Sequence, residues 1–196
     1  MGRAAWGLAA LLLAVGIGLA AWQAAAVMGG KDDSPSSDPT ATESSNGQRP
    51  LKVAGIQGFD PPPGGNGEEN DDRAGRVLDG NTATVWTTKT YKEQFGPSGL
   101  KEGVGLVLDL GKSDTVRSVA VALRGSGTDV QLRVADQRSD QLDDYKVVAQ
   151  KSDANGLVEL RPDQQAQARY LLVWLTALPD AGSGYQGQIA EISVRG

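Results

Sequence analysis

The chain has 196 residues, 39% hydrophobic and 22% charged, which suits one folded domain with extensions. It contains no His and no Cys, so a Ser-His-Asp triad, a thiol nucleophile and a Cys/His zinc centre are all excluded, and a metal would need oxygen ligands, as calcium or magnesium does. The formal net charge of −5 argues against nucleic acid as the main partner.

Residues 4–30 carry no charged side chain. As a helix rising ~1.5 Å per residue, the stretch is long enough to cross a ~30 Å hydrocarbon core. Trp6 and Trp22 stand near its two ends, where interfacial aromatics belong. Arg3 precedes it, and Lys31, Asp32 and Asp33 follow it. Residues 1–30 are therefore read as a transmembrane signal-anchor with a cytoplasmic N-terminus. A cleaved signal peptide, with Ala24, Ala25 and Ala26 at the cleavage site, is the competing reading. Both place the body beyond the membrane.

Residues 31–50 are rich in Ser, Pro, Asp and Thr and hold no aliphatic side chain larger than Ala. Such a segment buries too little apolar surface to offset its ordering entropy, so a disordered linker is expected. As a coil it would keep the body about 25 Å from the membrane.

Residues 51–196 read as strands. Val104, Leu106, Leu108 and Leu110 alternate with smaller or polar neighbours, as do Val119, Val121 and Leu123, and then Val130, Leu132 and Val134. LKVAGI, YKVVAQ, GLVELRP, RYLLVWLTAL and IAEISVRG bring the expected strands to eight. Gly-, Asp- and Asn-rich turns separate them, and PDQQAQARY reads as at most a polar turn. No long amphipathic helix is predicted, so the pattern gives an all-β antiparallel sandwich or barrel.

Two stretches bear on chemistry. VLDGNTATVWTT, residues 77–88, combines an Asp-Gly turn with hydroxyls and Trp86. Gly80 permits a positive φ that turns carbonyls inward, Asp79 offers a carboxylate, Asn81 a carbonyl, and Thr84 a hydroxyl and a carbonyl. An ordinary turn satisfies the same spacing. FDPPPGGNGEENDD, residues 59–72, lacks the offsets of a helix-flanked calcium loop. Glu68, Glu69, Asp71 and Asp72 are there read as a solvated acidic loop, with ligand contact or a second ion as the alternative. They are poorly held for acid/base work.

Four pieces, VLDGNTATVWTT (77–88), GLVLDLG (105–111), ARYLLVW (168–174) and IAEISV (189–194), occur in an order that resembles the discoidin-like, galactose-binding jelly-roll modules. FDPPPGGNGEEN and LKEGVGLVLDLG add a resemblance to extracytoplasmic domains of actinobacterial membrane proteins, including the lipid II flippase homologue MviN and membrane-anchored kinase-like proteins. The Ala- and Gly-rich composition suits a high-GC bacterium. The chain has neither a kinase signature nor several spans, so those proteins' other activities do not transfer.

The resemblance implies a galactose-binding-like jelly roll. It also implies a structural calcium ion held by Asp79, Asn81, Thr84 and Glu191, where the alternative has Glu191 capping loop amides. Trp86 is then core packing beneath the loop. Ligand is expected at loops at one end of the sandwich, residues 87–99 and 180–188. Tyr91, Phe95 and Tyr185 would stack on a sugar, and Lys89, Lys92 and Arg124 would hold hydroxyls or a carboxylate; loop packing is the rival role for the aromatics. The function expected is a non-catalytic, membrane-anchored module of the bacterial cell envelope. It would recognise a glycan, peptidoglycan or a lipid-linked wall precursor. A protein-interaction domain docking on an envelope or division partner is the alternative.

Overall fold

The computed structural model describes residues 48–96 and 101–196. The expected membrane segment and all but the last residues of the expected linker lie outside the described residues.

The strands are β1 (Pro50–Leu51), β2 (Gly55–Phe59), β3 (Trp86–Thr87), β4 (Val104–Val116), β5 (Ser118–Leu123), β6 (Thr128–Ala135), β7 (Lys146–Ala154), β8 (Leu157–Leu160), β9 (Ala166–Ala177) and β10 (Gln188–Arg195). One sheet has the order β1-β10-β5-β8, with β3 also on β10. The other runs β2-β4-β9-β6-β7. Every pairing is antiparallel.

The alternation read from sequence defines the inner faces. Val104, Leu106 and Leu108 of β4, Val130 and Leu132 of β6, and Leu171, Val173 and Leu175 of β9 meet Val119, Val121 and Leu123 of β5 and Ile192 and Val194 of β10 in one core. Each such side chain contributes about 1.5–3 kcal/mol on full burial. A one-residue register slip would turn a whole row into solvent, so the pairing is strongly specified.

A second apolar layer lies on the outer face of the β2-β4-β9-β6-β7 sheet, the larger of the two by the length of its strands. Phe59, Val107, Leu172 and Trp174 pack there with Tyr145. The rings of Tyr145 and Trp174 meet Phe59 edge-on, at 5.4 and 5.8 Å. The segment 136–145 covers this layer. Its Tyr145 hydroxyl donates to the Ser139 carbonyl at 3.0 Å, and the Arg133 guanidinium donates to the Tyr145 carbonyl at 3.3 Å. β4 and β9 are thus buried on both faces.

Several expectations are corrected. Arg49 exchanges backbone hydrogen bonds with Gly196 at 2.9 Å, and its guanidinium holds both oxygens of Asp114 at 2.7 Å. These contacts tie Arg49, at the end of the expected linker, to the last residue of the chain and to β4. LKVAGI splits between β1 and β2, and the second half of PDQQAQARY already belongs to β9. Asp71–Leu78 forms a 3-10 helix that buries Ala74 and Val77, an element too short to announce itself by periodicity.

Candidate functional site

The Asp79 loop follows that 3-10 helix directly. Gly80 has φ +72°, as the turn requires. The Asn81 amide donates to Asp79 Oδ1 at 2.8 Å, and the Ala83 amide to Asn81 Oδ1 at 3.0 Å. The Thr84 hydroxyl lies 2.7 Å from Asp79 Oδ2 and 2.8 Å from the Asn81 carbonyl. That hydroxyl and the Asn81 amide hold the Asp79 carboxyl below its usual range.

Glu191 reaches this loop from β10. Its carboxyl is pushed up, first by burial and then by the charge of Asp79, while the Gly80 amide pulls it back. Its Oε2 is buried without a hydrogen-bond partner among the described residues. The structure thus brings Asp79, Asn81, Thr84 and Glu191 together. An orphaned carboxylate oxygen beside a second carboxylate fits a cation, and the all-oxygen donor set suits calcium. Among the described residues no cluster of three acidic side chains forms, so hydroxyl, amide and carbonyl oxygens would complete the shell.

The expected ligand residues divide into two places. Tyr91 and Tyr185 exchange backbone hydrogen bonds at 2.9 and 2.7 Å, joining loop 88–96 to loop 178–187. The Gln94 side chain strengthens that seam, donating to the Leu178 carbonyl at 2.8 Å and accepting from its amide at 2.9 Å. Gly184 permits the close approach, since a Cβ there would stand 2.4 Å from the Tyr91 carbonyl oxygen. Beside this seam is a pocket of about 260 Å³ lined by Gly64, Tyr91, Lys92, Gln94, Phe95 and Lys101.

Phe95 is buried, packing edge-on against Tyr91 at 4.8 Å while lining that pocket, which fits loop packing, the rival role expected for it. Lys89 turns its ammonium to the Asn66 side chain and the Glu68 carbonyl. Arg124 stands elsewhere: its guanidinium donates to the Thr82 carbonyl of the Asp79 loop.

Beneath Tyr91 lies the feature that the sequence reading missed. Glu69 is fully buried. One of its oxygens accepts the Lys89 amide and the other the Tyr91 hydroxyl at 2.7 Å. Asp60 is also buried and binds the Lys101 ammonium through both oxygens, at 2.7 and 2.8 Å. That ammonium also sits 4.8 Å from the centre of the Tyr91 ring. Burial pushes the Glu69 carboxyl up, and burial with the Glu69 bond pushes the Tyr91 hydroxyl up, which keeps it a donor. The acidic loop is therefore a bracket, tied inward at Asp60 and Glu69 while Glu68 and Asp72 remain exposed.

No family model matches the chain. Its β-sandwich fold is shared with solved CBM32 modules. It is similar to the CBM32 module of AlyQ, solved in complex with 4,5-unsaturated mannuronic acid. That match has 14% identity, covers 74% of this chain and 97% of the module, and has a TM-score of 0.54. It is also similar to chitosan-binding module 1 of a chitosanase/glucanase from Paenibacillus sp. IK-5. There the identity is 17%, over 76% of this chain and 99% of the module, with a TM-score of 0.55. The superpositions show a shared fold, and at these identities the likeness is one of fold alone.

Proposed function

We propose that the protein is a non-catalytic glycan-binding module of the bacterial cell envelope, held by its N-terminal segment on the outer side of the membrane. The observation that carries this reading is the braced loop end. Tyr91 is fixed from below by Glu69, from its ring face by Lys101 and from its edge by Phe95, beside an open pocket. Preorganised aromatic and polar groups bind with little ordering cost. The sandwich is shared with modules solved with mannuronic acid and, for chitosan-binding module 2 (TM-score 0.50), with chitotriose, which favours a saccharide over a protein surface. The uncharged stretch at residues 4–30 supports the tether. The resemblance to actinobacterial extracytoplasmic domains supports peptidoglycan or a lipid-linked wall precursor as the ligand.

A calcium ion at Asp79, Asn81, Thr84 and Glu191 completes the reading. It would neutralise two facing carboxylates and fix the loop; no chemical step is assigned to it.

The test uses the full chain in detergent, mixed with bacterial sacculi for co-sedimentation and with soluble muropeptides for calorimetry, in calcium and in chelator. Retention on sacculi and saturable heat are expected. Failure under both conditions overturns the proposal.

A further inference from the structure

The two ends of the sandwich carry opposite charge. Val104, Leu123, Ala177 and Gln188 end their strands toward the Tyr91 loops. Val116, Ser118, Ala166 and Arg195 end theirs at the other side, where Arg49 meets Gly196. Arg117 is the one-residue turn from β4 to β5, and its amide donates to the Arg195 carbonyl at 2.9 Å. Lys52 follows β1, and Arg161 follows β8. Arg49 and, more weakly, Lys112 hold the Asp114 carboxyl below its usual range, and the Glu159 carboxyl is held down by Arg161 and Ser118 and also feels Arg195.

Six cations thus share this end. Asp114 and Glu159 take up Arg49 and Arg161, each at 2.7 Å, and Asp163 is exposed in the loop after β8. Lys52, Lys112, Arg117 and Arg195 are exposed, with no side-chain hydrogen bond or ion pair among the described residues. The Tyr91 end instead exposes Glu68, Glu93, Glu102 and Asp180, against Lys92 and the half-buried Lys89. Since the whole chain has a net charge of −5, the basic end runs against the protein's average.

We propose that this basic end docks on an anionic lipid surface, with headgroup phosphates as its partners, and so presents the Tyr91 loops away from the bilayer. Each Lys or Arg near such a surface contributes about fivefold to partitioning, so the four unpaired ones multiply to roughly several hundredfold. Chain length favours lipid over a soluble polyanion. Residues 31–47 separate the uncharged stretch 4–30 from the described domain, and no path of that length exceeds about 60 Å. An anchor at residues 4–30 would therefore keep the basic end at high effective concentration beside the headgroups. That proximity rests on the tether reading; the charge match does not. β4 has 13 residues and extends up to about 40 Å, which sets the scale of the distance between headgroups and the Tyr91 loops.

The test uses the full chain in nanodiscs of phosphatidylglycerol or of phosphatidylcholine, each with a nitroxide lipid that quenches a fluorophore near the headgroups. The chain has no cysteine, so Ser113→Cys labels the basic end and Ser183→Cys the Tyr91 end, both at exposed positions. Quenching at residue 113 should be at least about twofold greater in phosphatidylglycerol, and quenching at residue 183 the same in both lipids. Salt at 1 M, where the Debye length is about 3 Å, should remove the difference. Arg117→Gln with Arg195→Gln should shrink it at an unchanged melting midpoint; should that variant not fold, the salt series decides. Equal quenching in the two lipids, a difference that survives 1 M salt, or stronger quenching at residue 183 overturns the proposal. Binding of soluble polyphosphate without a lipid difference overturns it in favour of a polyanion of the wall. Flotation with phosphatidylcholine vesicles tests the tether alone. Flotation with equal quenching leaves the tether and removes the docking, whereas flotation only with phosphatidylglycerol vesicles does the reverse.

Discussion

Two carboxylates in this domain are raised for the same first reason, burial, yet they differ in what satisfies them. Glu69 has a donor on each oxygen, whereas Glu191 has an orphan oxygen and feels the charge of Asp79. For Glu69 the folded pKa lies above its ordinary value near 4.5. The folded state therefore takes up the proton first, and stability rises as pH falls from above the raised value towards 4.5. Glu69→Gln keeps an acceptor for the Lys89 amide and removes this slope, so the difference between wild-type and variant melts should vanish in its pH dependence above pH 4.5 if the shift is absent. Glu69→Ala orphans the Lys89 amide and should cost about 1–3 kcal/mol by urea denaturation.

For Glu191 the prediction concerns the ion. Calcium should raise the melting midpoint, by an amount equivalent to about 2.7 kcal/mol at a hundredfold excess over Kd. Glu191→Gln should abolish that rise, yet melt in chelator at or above the wild-type midpoint because the repulsion from Asp79 is gone. An unchanged wild-type midpoint on adding calcium removes the ion.

At the level of elements, pairing depends on places where no side chain fits. A Cβ on Gly105 in β4 would lie 2.1 Å from the Val173 carbonyl oxygen of β9, at the centre of the larger sheet. Backbone cannot move there without parting the strands, so Gly105→Ala should cost about 3–5 kcal/mol in chemical denaturation. Gly127, at φ +83° with open space around it, is the control: Ala there should cost only about 1–2 kcal/mol. Equal losses would show that conformation, and not space, decides both.

The inner rows were legible because period-two alternation fixes the face of each strand. The outer layer was not, because it needs Tyr145 and the 136–145 segment to cover it. One signal did exist: LLVWL in β9 is apolar at every position, the pattern of a strand buried on both faces. The bracket was hidden for a different reason. An acidic loop rich in Gly and Pro reads as solvated, and its partners Tyr91 and Lys101 stand 22 and 41 residues away in sequence. The Asp79 loop was legible since its hydrogen bonds are local; the approach of Glu191 came only through the resemblance.

Across the whole domain, the Asp79 loop and the Tyr91 loop end are not independent. The chain runs from Thr84 through β3 directly to Lys89 and Tyr91, and β3 pairs with β10, which carries Glu191. Arg124 forms a second link. Its guanidinium holds the Thr82 carbonyl, while its amide donates to the Gln188 carbonyl at 3.0 Å, three residues beyond Tyr185. An ion that fixes the Asp79 loop would thereby restrict the loops that bear Tyr91 and Tyr185, lowering the ordering cost of binding. Coupling of this kind amounts to about 1–3 kcal/mol and must be reciprocal. Muropeptide affinity should therefore fall about fivefold or more in chelator, and calcium affinity should rise by the same factor when muropeptide is present. Arg124→Ala should keep both binding events and shrink the factor, since it severs the link without removing an oxygen ligand or Tyr91. Calorimetric titrations run in both orders measure the two factors. Equal muropeptide affinity with and without calcium would show that the two ends act separately.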